Sequence, residues 1–520
     1  MKQGYSQFER WRTISILVVF CTAAVSLWGQ GSGGGAGSSQ APRAQLLTLS
    51  GLPQGGSSVQ AQQNAVSGSS SNNTVNSTIQ VQGAYQGSVR AEIEGSAALP
   101  LTLDEAIRLG LRYNLGGVAS GASLQQLRGQ RLAALAELLP NIYATISETG
   151  AKTDLQTQGL STGTFGGNIP LPVTVGPYHY NSAQANLSEQ LSLTGLHNLR
   201  AAAASGEAGK LNLRDARELI ILAVGGSYLR VLATQALVAS QQAQVNYADV
   251  SYKQAAAQNR AGTKATIDAN RSLVELQTQQ QRLSSQQADL MKQKMTLARL
   301  IGLPPGRELR IDQTLPSAPP PPTDLAAEIV YGLDHRADLR AADRQVKAAE
   351  ESLHASHAEY LPSLGVNGYY GLQGVDPSKG VGVFQASASV NIPIFNFGRT
   401  RADVEQANAA LTQRKAEYEN QKDVVETDVR TAAIDLQVAV QQVGVAESNR
   451  ELSLSTLKQS QDRFAAGVTT SVEVVQSQES LASAETDYIN ALYSLNLAKI
   501  SLARATGQAE TSIPSLLKGQ

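Results

Sequence analysis

The sequence predicts a mostly helical fold with a small β part, assembled from two copies of one unit. Three observations predict it: the two halves of the chain match each other, two stretches of more than a hundred residues lack proline, and four short segments alternate apolar and polar residues.

The duplication comes first because it constrains everything after it. AELLPN at 136–141 matches AEYLPS at 358–363, with Pro140 on Pro362 and Ile107 on Ile329, an offset of 222 residues. Further along, RAGTKATID at 260–268 matches AAGVTTSVE at 465–473, and LARLIG at 297–302 matches LARATG at 502–507, both at an offset of 205. The first copy therefore holds 17 extra residues, placed most naturally in the Gly/Pro-rich stretch from Gly159 to Pro177.

Each copy repeats one internal order. A helical pattern runs from Leu103 to Leu139, and again from Leu325 to Leu361, and stops at a proline, whose ring and missing N–H end a helix. Alternation of period two follows. In the second copy Phe384, Ala386, Ala388, Val390, Ile392 and Ile394 take one face, while Gln385, Ser387, Ser389 and Asn391 take the other. Leu364, Val366, Tyr370 and Leu372 repeat the pattern on the preceding strand, and Ile142, Ala144, Ile146, Leu187, Leu191 and Leu193 give it less cleanly in the first copy. From Pro177 to Pro304 and from Pro393 to Pro514 the chain is rich in Ala, Gln, Leu, Glu and Val. Those are helix formers, and Arg200 to Asn259 would run about 90 Å as one helix, a length that belongs to coiled-coil assemblies.

The N-terminus points to export. Lys2, Arg10 and Arg12 precede an apolar run from Ile14 to about Trp28, then small residues, which is the order of a secretory signal over residues 1–30. That run is short for a spanning helix, and no later stretch approaches the length one needs. The only cysteine, Cys21, lies inside it, so the exported product would form no disulfide and no thiolate metal site. Lipidation of Cys21 is the alternative, and the bulky Phe20 before it stands against that reading. Residues 31–98 are rich in Gly, Ser, Gln and Asn, as in QGSGGG at 30–35 and SSSNN at 69–73, and read as a flexible leader that buries too little to order itself. The repeats then cover 99–310 and 325–510, joined by a Pro-rich linker at 311–324 and followed by a tail at 511–520. Charged residues are 16% and the formal net charge is -1, which leaves no basic footprint for nucleic acid.

An exported chain with such strands fits the pattern of a transmembrane β-barrel, although a soluble antiparallel sheet alternates identically. If the strands do lie in lipid, four of them cannot close a barrel in one chain, and open edges are not tolerated there. Three copies would supply twelve strands around a threefold axis.

The two-copy layout, the AE-x-LP ends, the segment NIPIFNFGR at 391–399 and the turns Gly-x-x-x-x-(Ile/Val)-(Asp/Glu) starting at Gly262 and Gly467 resemble the TolC-type outer-membrane efflux proteins. The resemblance covers residues of about 100 to 510. It implies a homotrimer with a twelve-stranded β-barrel in outer-membrane lipid and a long α-helical barrel in the periplasm. It further implies an exit duct for an inner-membrane transporter, reached through a periplasmic adaptor (membrane fusion) protein, with no cofactor and no catalytic residue. The rival is a soluble periplasmic coiled-coil scaffold or adaptor subunit, which explains the helices and leaves the strands between them unexplained.

Two sets of residues follow as candidate sites. Gly262 and Gly467 stand where each long helical stretch must reverse, and glycine tolerates the positive φ of such a reversal. The bland reading is a pair of helix caps. The resemblance makes Gly262, Thr263, Gly467, Val468 and Thr469 the tips that meet the adaptor. Asp268 and Glu473 occupy matched positions just after the turns, where the helix dipole already favours an acid. The resemblance makes them the lining of the periplasmic mouth, a ring of six carboxylates in a trimer. Arg271 and Gln476 stand where a second acid is common in that family, and Lys264 adds a positive charge, so the mouth is expected to be less negative. His354 and His357 form the only close histidine pair, read as a solvated face and not a metal site.

Overall fold

The computed structural model describes residues 58–66, 74–91, 99–158, 172–262, 265–320 and 324–516, so the signal segment falls outside the described residues. The first copy begins with α1 (Leu103–Tyr113) and α2 (Leu115–Ala136), then strands β4 (Asn141–Asp154) and β5 (Thr174–Leu191), and the long helices α3 (Leu193–Arg260) and α4 (Thr266–Leu300). The second copy repeats it with α5 (Leu325–His335), α6 (Ala337–Ala358), β7 (Ser363–Gly374), β8 (Val381–Asn391), α7 (Arg399–Ala465) and α8 (Ser471–Ala505). Short strands β3 (Leu99–Pro100) and β6 (Leu309–Arg310) pair in parallel between the copies, and α9 (Ala509–Leu516) extends into the segment read as a tail.

The packing is duplicated along with the sequence. α3 lies against α1, α2 and α6 along its first part and against α4 beyond; α7 lies against α5 and α6, then α8. Gly110 of α1 sits over Val224, where an added Cβ would meet the valine methyl at 2.6 Å. Gly332 of α5 sits in the same way over Val429, at 3.2 Å. The glycine pair differs by 222 residues and the valine pair by 205, so both offsets meet in one repeated contact. The missing side chain is what lets each short helix reach its long one.

Where the sequence predicted one helix from 103 to 139 and one from 325 to 361, the structure breaks each at matched residues, Asn114 and Arg336, which sit in extended backbone between two helices. The extra residues of the first copy lie in its hairpin, whose strands have 14 and 18 residues against 12 and 11 in the second; residues 159–171 of the stretch named for them lie outside the described residues. Leu193, expected in a strand, is the first residue of α3. Ile392 and Ile394 lie beyond the end of β8, because Pro393 has no N–H to continue the ladder.

Part of the expected leader is ordered. β1 (Val59–Val66) and β2 (Thr74–Val81) form an antiparallel hairpin whose Val59, Ala61, Ile79 and Val81 pack on the largest core cluster, beside Tyr228 and Leu497. Average composition hid this, because Val59 and Ala61 alternate with glutamines in a polar segment. A two-stranded hairpin is marginal alone, and here the apolar face of α3 and α8 supplies what it lacks. The Pro-rich linker is likewise held, Asn496 and Lys499 of α8 donating to the carbonyls of Pro316 and Ala318 at 2.7 and 2.6 Å. One window of α3 is long and apolar enough to cross a membrane, contrary to the sequence expectation, but 78% of it is buried inside the chain and it serves as core.

Candidate functional site

The four-stranded sheet has the order β4-β5-β7-β8 with every neighbour antiparallel. Its register sorts the side chains onto two faces. Ile142 pairs with Leu187, Leu187 with Gly368, and Gly368 with Ala386; two residues on, Ala144, Ala185, Tyr370 and Phe384 align. That face is apolar, and nothing among the described residues covers it: Ile146 is 87% exposed, Phe384 79% and Tyr370 68%. The other face carries Asn141, Thr145, Ser147, Gln184, Asn367 and Ser387, among others.

Two acids bracket the apolar face. Glu189, paired with Val366, faces it near the helices, and Glu148, paired with Asn181, faces it at the far end. Eight residues separate Asn181 from Glu189, about 27 Å along a strand and about 21 Å along the normal at a usual barrel tilt, of the order of the lipid-facing band of a membrane barrel. Apolar side chains of this size left bare on a sheet face call for lipid. Among the described residues β4 and β8 also leave their outer edges unpaired.

At the other end of the long helices stand the two turns. Gly262 has φ +72 and Gly467 φ +76, the left-handed conformation that closes a helix. In the second copy the Val468 N–H donates to the Arg463 carbonyl at 2.9 Å and Gly467 to Phe464 at 3.1 Å, a Schellman closure. In the first, Gly262 donates to Asn259 at 2.9 Å; Thr263 and Lys264 lie outside the described residues. Val468 is exposed and Thr469 half-buried.

The structure brings the two turns together through their helix starts. The Ser471 hydroxyl of α8 donates to Asp268 Oδ1 of α4 at 2.9 Å. Asp268 and Glu473 do not meet, for each has its own arginine: Arg271 lies 4.0 Å from Asp268, and Arg463 donates to Glu473 at 2.9 Å, with the Thr469 hydroxyl on the second oxygen. Arg463 was missed in the sequence, since it stands ten residues before its partner across the turn. Between the starts of α4 and α8 lies a cleft of ≈ 390 Å³, walled by Ile267, Val274, Val472 and Val475 and edged by Arg271 and Gln476.

A buried ion network, also missed, ties the copies together. Arg336 donates to Asp338 at 2.6 Å and to Asp428 at 2.7 Å. Arg504 of α8 binds Asp215 of α3 and lies 3.5 Å from Glu218 and 3.9 Å from Asp338. Burial pushes Glu218 up to about 7 despite Arg504. Burial opposes the charge of Asp338 too, but the hydrogen bonds and field of Arg336 outweigh it and hold that carboxyl below its ordinary value. The residues lie far apart in sequence on four helices, which is why no motif announced them. Among the described residues no group of His, Asp and Glu is placed to hold a metal ion.

Comparison with known proteins gives the same picture. Residues 332–508 match the model of the family described as outer membrane efflux protein. The pyoverdine export outer membrane protein OpmQ of Pseudomonas putida is 25% identical over 433 residues, 78% of this chain and 85% of its own. Among solved structures, the CmeC outer membrane channel of Campylobacter jejuni superposes with a TM-score of 0.68 at 15% identity, covering 84% of this chain and 95% of that one. The outer membrane protein VceC of Vibrio cholerae gives 0.66 at 18%, covering 78% and 96%. With its duplicated long helices, bare apolar sheet and paired turns, the chain carries an outer membrane efflux protein match over residues 332–508, is similar to OpmQ along most of its length, and shares the fold of the solved outer membrane channels.

Proposed function

We propose that the chain works as a homotrimer, the passive exit duct of a tripartite export system. One observation carries this reading: a sheet with one bare apolar face, one polar face and two open edges. In lipid such a sheet is stable only when its edges are closed by other copies, and three copies give an even-numbered barrel of twelve strands with the polar face inward. The long helices then extend into the periplasm. Their turns, at Gly262, Thr263, Gly467, Val468 and Thr469, meet the periplasmic adaptor, for which the apolar cleft beside Val472 offers a seat. Asp268, Glu473, Lys264, Arg271 and Gln476 surround the mouth. Energy comes from the inner-membrane transporter, and the duct itself catalyses nothing and needs no cofactor.

The test is assembly followed by export. Purified in detergent, the mature protein is expected as a trimer, and Gly262→Pro with Gly467→Pro is expected to keep the trimer and abolish export by the intact system. A monodisperse monomer with the same helix content would overturn the barrel; normal export by the double variant would return the glycines to ordinary caps.

A further inference from the structure

The polar face of the sheet has an order that the duct reading does not require. Among the described residues of this face, from Asn141 to Thr149 on β4, Tyr178 to Gln190 on β5, Ser363 to Gln373 on β7 and Val381 to Asn391 on β8, none is charged. One row across it is distinctive. Tyr143 pairs with Asn186, Asn186 with Tyr369, and Tyr369 with Gln385, so phenol rings and carboxamides alternate across all four strands. The next row toward the helices is Asn141, Ser188, Asn367 and Ser387, all small hydrogen-bonding groups. Farther along the same face Tyr178 and Tyr180 stack at 6.4 Å.

We propose that this face is a binding track for uncharged, ring-shaped polyhydroxylated solutes, of the chemical type of a neutral oligosaccharide. The proposal rests on the reading that the polar face lines the lumen. Tyr143 is 49% exposed and Tyr369 half-buried, so both present a ring edge or face to whatever passes. Strands lie about 4.8 Å apart, which sets the two tyrosines about 10 Å apart at the backbone with an amide between them. A sugar ring stacks its C–H face on a phenol and meets amide and hydroxyl groups with its own hydroxyls. The Asn186 amide already donates to Thr145 and the Ser387 hydroxyl to the Asn367 carbonyl, each at 3.2 Å, which leaves their remaining donor and acceptor sites for a solute. An apolar aromatic solute would stack equally but displace water from those sites without replacing it, and an ion would find no opposite charge. The proposed track uses neither mouth acid.

The experiment is single-channel recording of the full-length protein in planar bilayers with maltohexaose as probe. Wild type is expected to show resolvable interruptions of the current. Tyr143→Ala with Tyr369→Ala should shorten them about tenfold, two stacking contacts at about 0.7 kcal/mol each, without lowering the open conductance. Tyr143→Phe with Tyr369→Phe keeps the rings and should retain most of the dwell time. Conducting pores that maltohexaose never interrupts would overturn the track and leave the duct standing. So would interruptions unchanged in the alanine variant, or equal ones from a cationic chitosan oligomer of the same length. Absence of any pore would overturn the lumen reading and the track with it.

Discussion

The two copies place the same backbone on the same glycines and then satisfy it with different charges. At the joint of the first copy Asn114 is 1% exposed, and its amide donates to the carbonyls of Tyr85 at 2.8 Å and Leu300 at 3.3 Å while its oxygen caps Gly116 at 2.9 Å. At the matched joint of the second copy stands Arg336, equally deep, paired with Asp338 and Asp428. A neutral amide closes its joint on backbone alone, reaching Tyr85 ahead of α1 and Leu300 at the end of α4. A guanidinium needs carboxylates, and Asp338 in turn draws in Arg504 from α8. One solution uses only backbone partners; the other enlists side-chain charges from α3, α6, α7 and α8.

That difference sets the largest expected effect. Arg336→Ala takes the cation from the largely buried Asp338, which keeps Arg504 only at 3.9 Å, and from the half-exposed Asp428, a loss of about 3 kcal/mol at the low end for a broken buried pair. Asn114→Ala strands two carbonyls and one N–H, about 1–3 kcal/mol. Thermal unfolding of the detergent-purified assembly should therefore rank Arg336→Ala below Asn114→Ala, and both below wild type. Equal losses at the two joints would mean that the ion network adds nothing beyond plugging a helix break.

The same network makes the second joint sensitive to pH and leaves the first indifferent. Glu218 is held by Arg504 at 3.5 Å and Arg214 at 3.8 Å, with Asp215 and Asp338 nearby. Its folded value of about 7 exceeds the ordinary 4.5, so the folded state binds the proton more tightly. The stability it contributes is full below the ordinary value and is lost as pH rises through about 7. Burial shifts Asp215 in the same direction, whereas Asp338 is held low and titrates in acid, away from this window. Resistance to unfolding should be greater at pH 6 than at pH 8, by on the order of 1 kcal/mol. Glu218→Gln should flatten that slope and raise stability at pH 8, and a slope that survives the substitution would place its source elsewhere.

What the sequence made legible follows from how each feature is encoded. The duplication, the sheet and the long helices are periodic, so Pro140 on Pro362 and Phe384 with its alternating neighbours declare them locally. The joints are not periodic: Asn114 and Arg336 share no chemistry, and only the matched glycines around them mark the same place. The hairpin at 59–81 is encoded by four apolar residues whose partners lie on α3 and α8, beyond the reach of a composition window. At the turns the glycines and acids were visible by their matched spacing. Arg463 was not, because its counterpart in the first copy is Gln258.

That last mismatch leads to the smallest effect, and it belongs to the mouth proposed for the turns. Position for position, the first copy has Gln258 and Arg271 where the second has Arg463 and Gln476. Each acid thus receives one arginine from opposite arms of its turn, Asp268 from the α4 side and Glu473 from the α7 side. The pairs are partly exposed, so each is worth about 0–1 kcal/mol and neither should alter stability measurably. Charge at a pore mouth is read more finely by ion selectivity. With Arg271→Gln and Arg463→Gln the acids lose their cations and keep only the Ser471 and Thr469 hydroxyls, and the reversal potential in a salt gradient should move toward cations. With Asp268→Asn and Glu473→Gln it should move toward anions, because the arginines remain. All four changes together remove two positive and two negative charges and should restore a value close to wild type. A fourfold variant that stays as displaced as either pair would show that position and not summed charge governs the mouth, and that the two copies are not compensating for each other there.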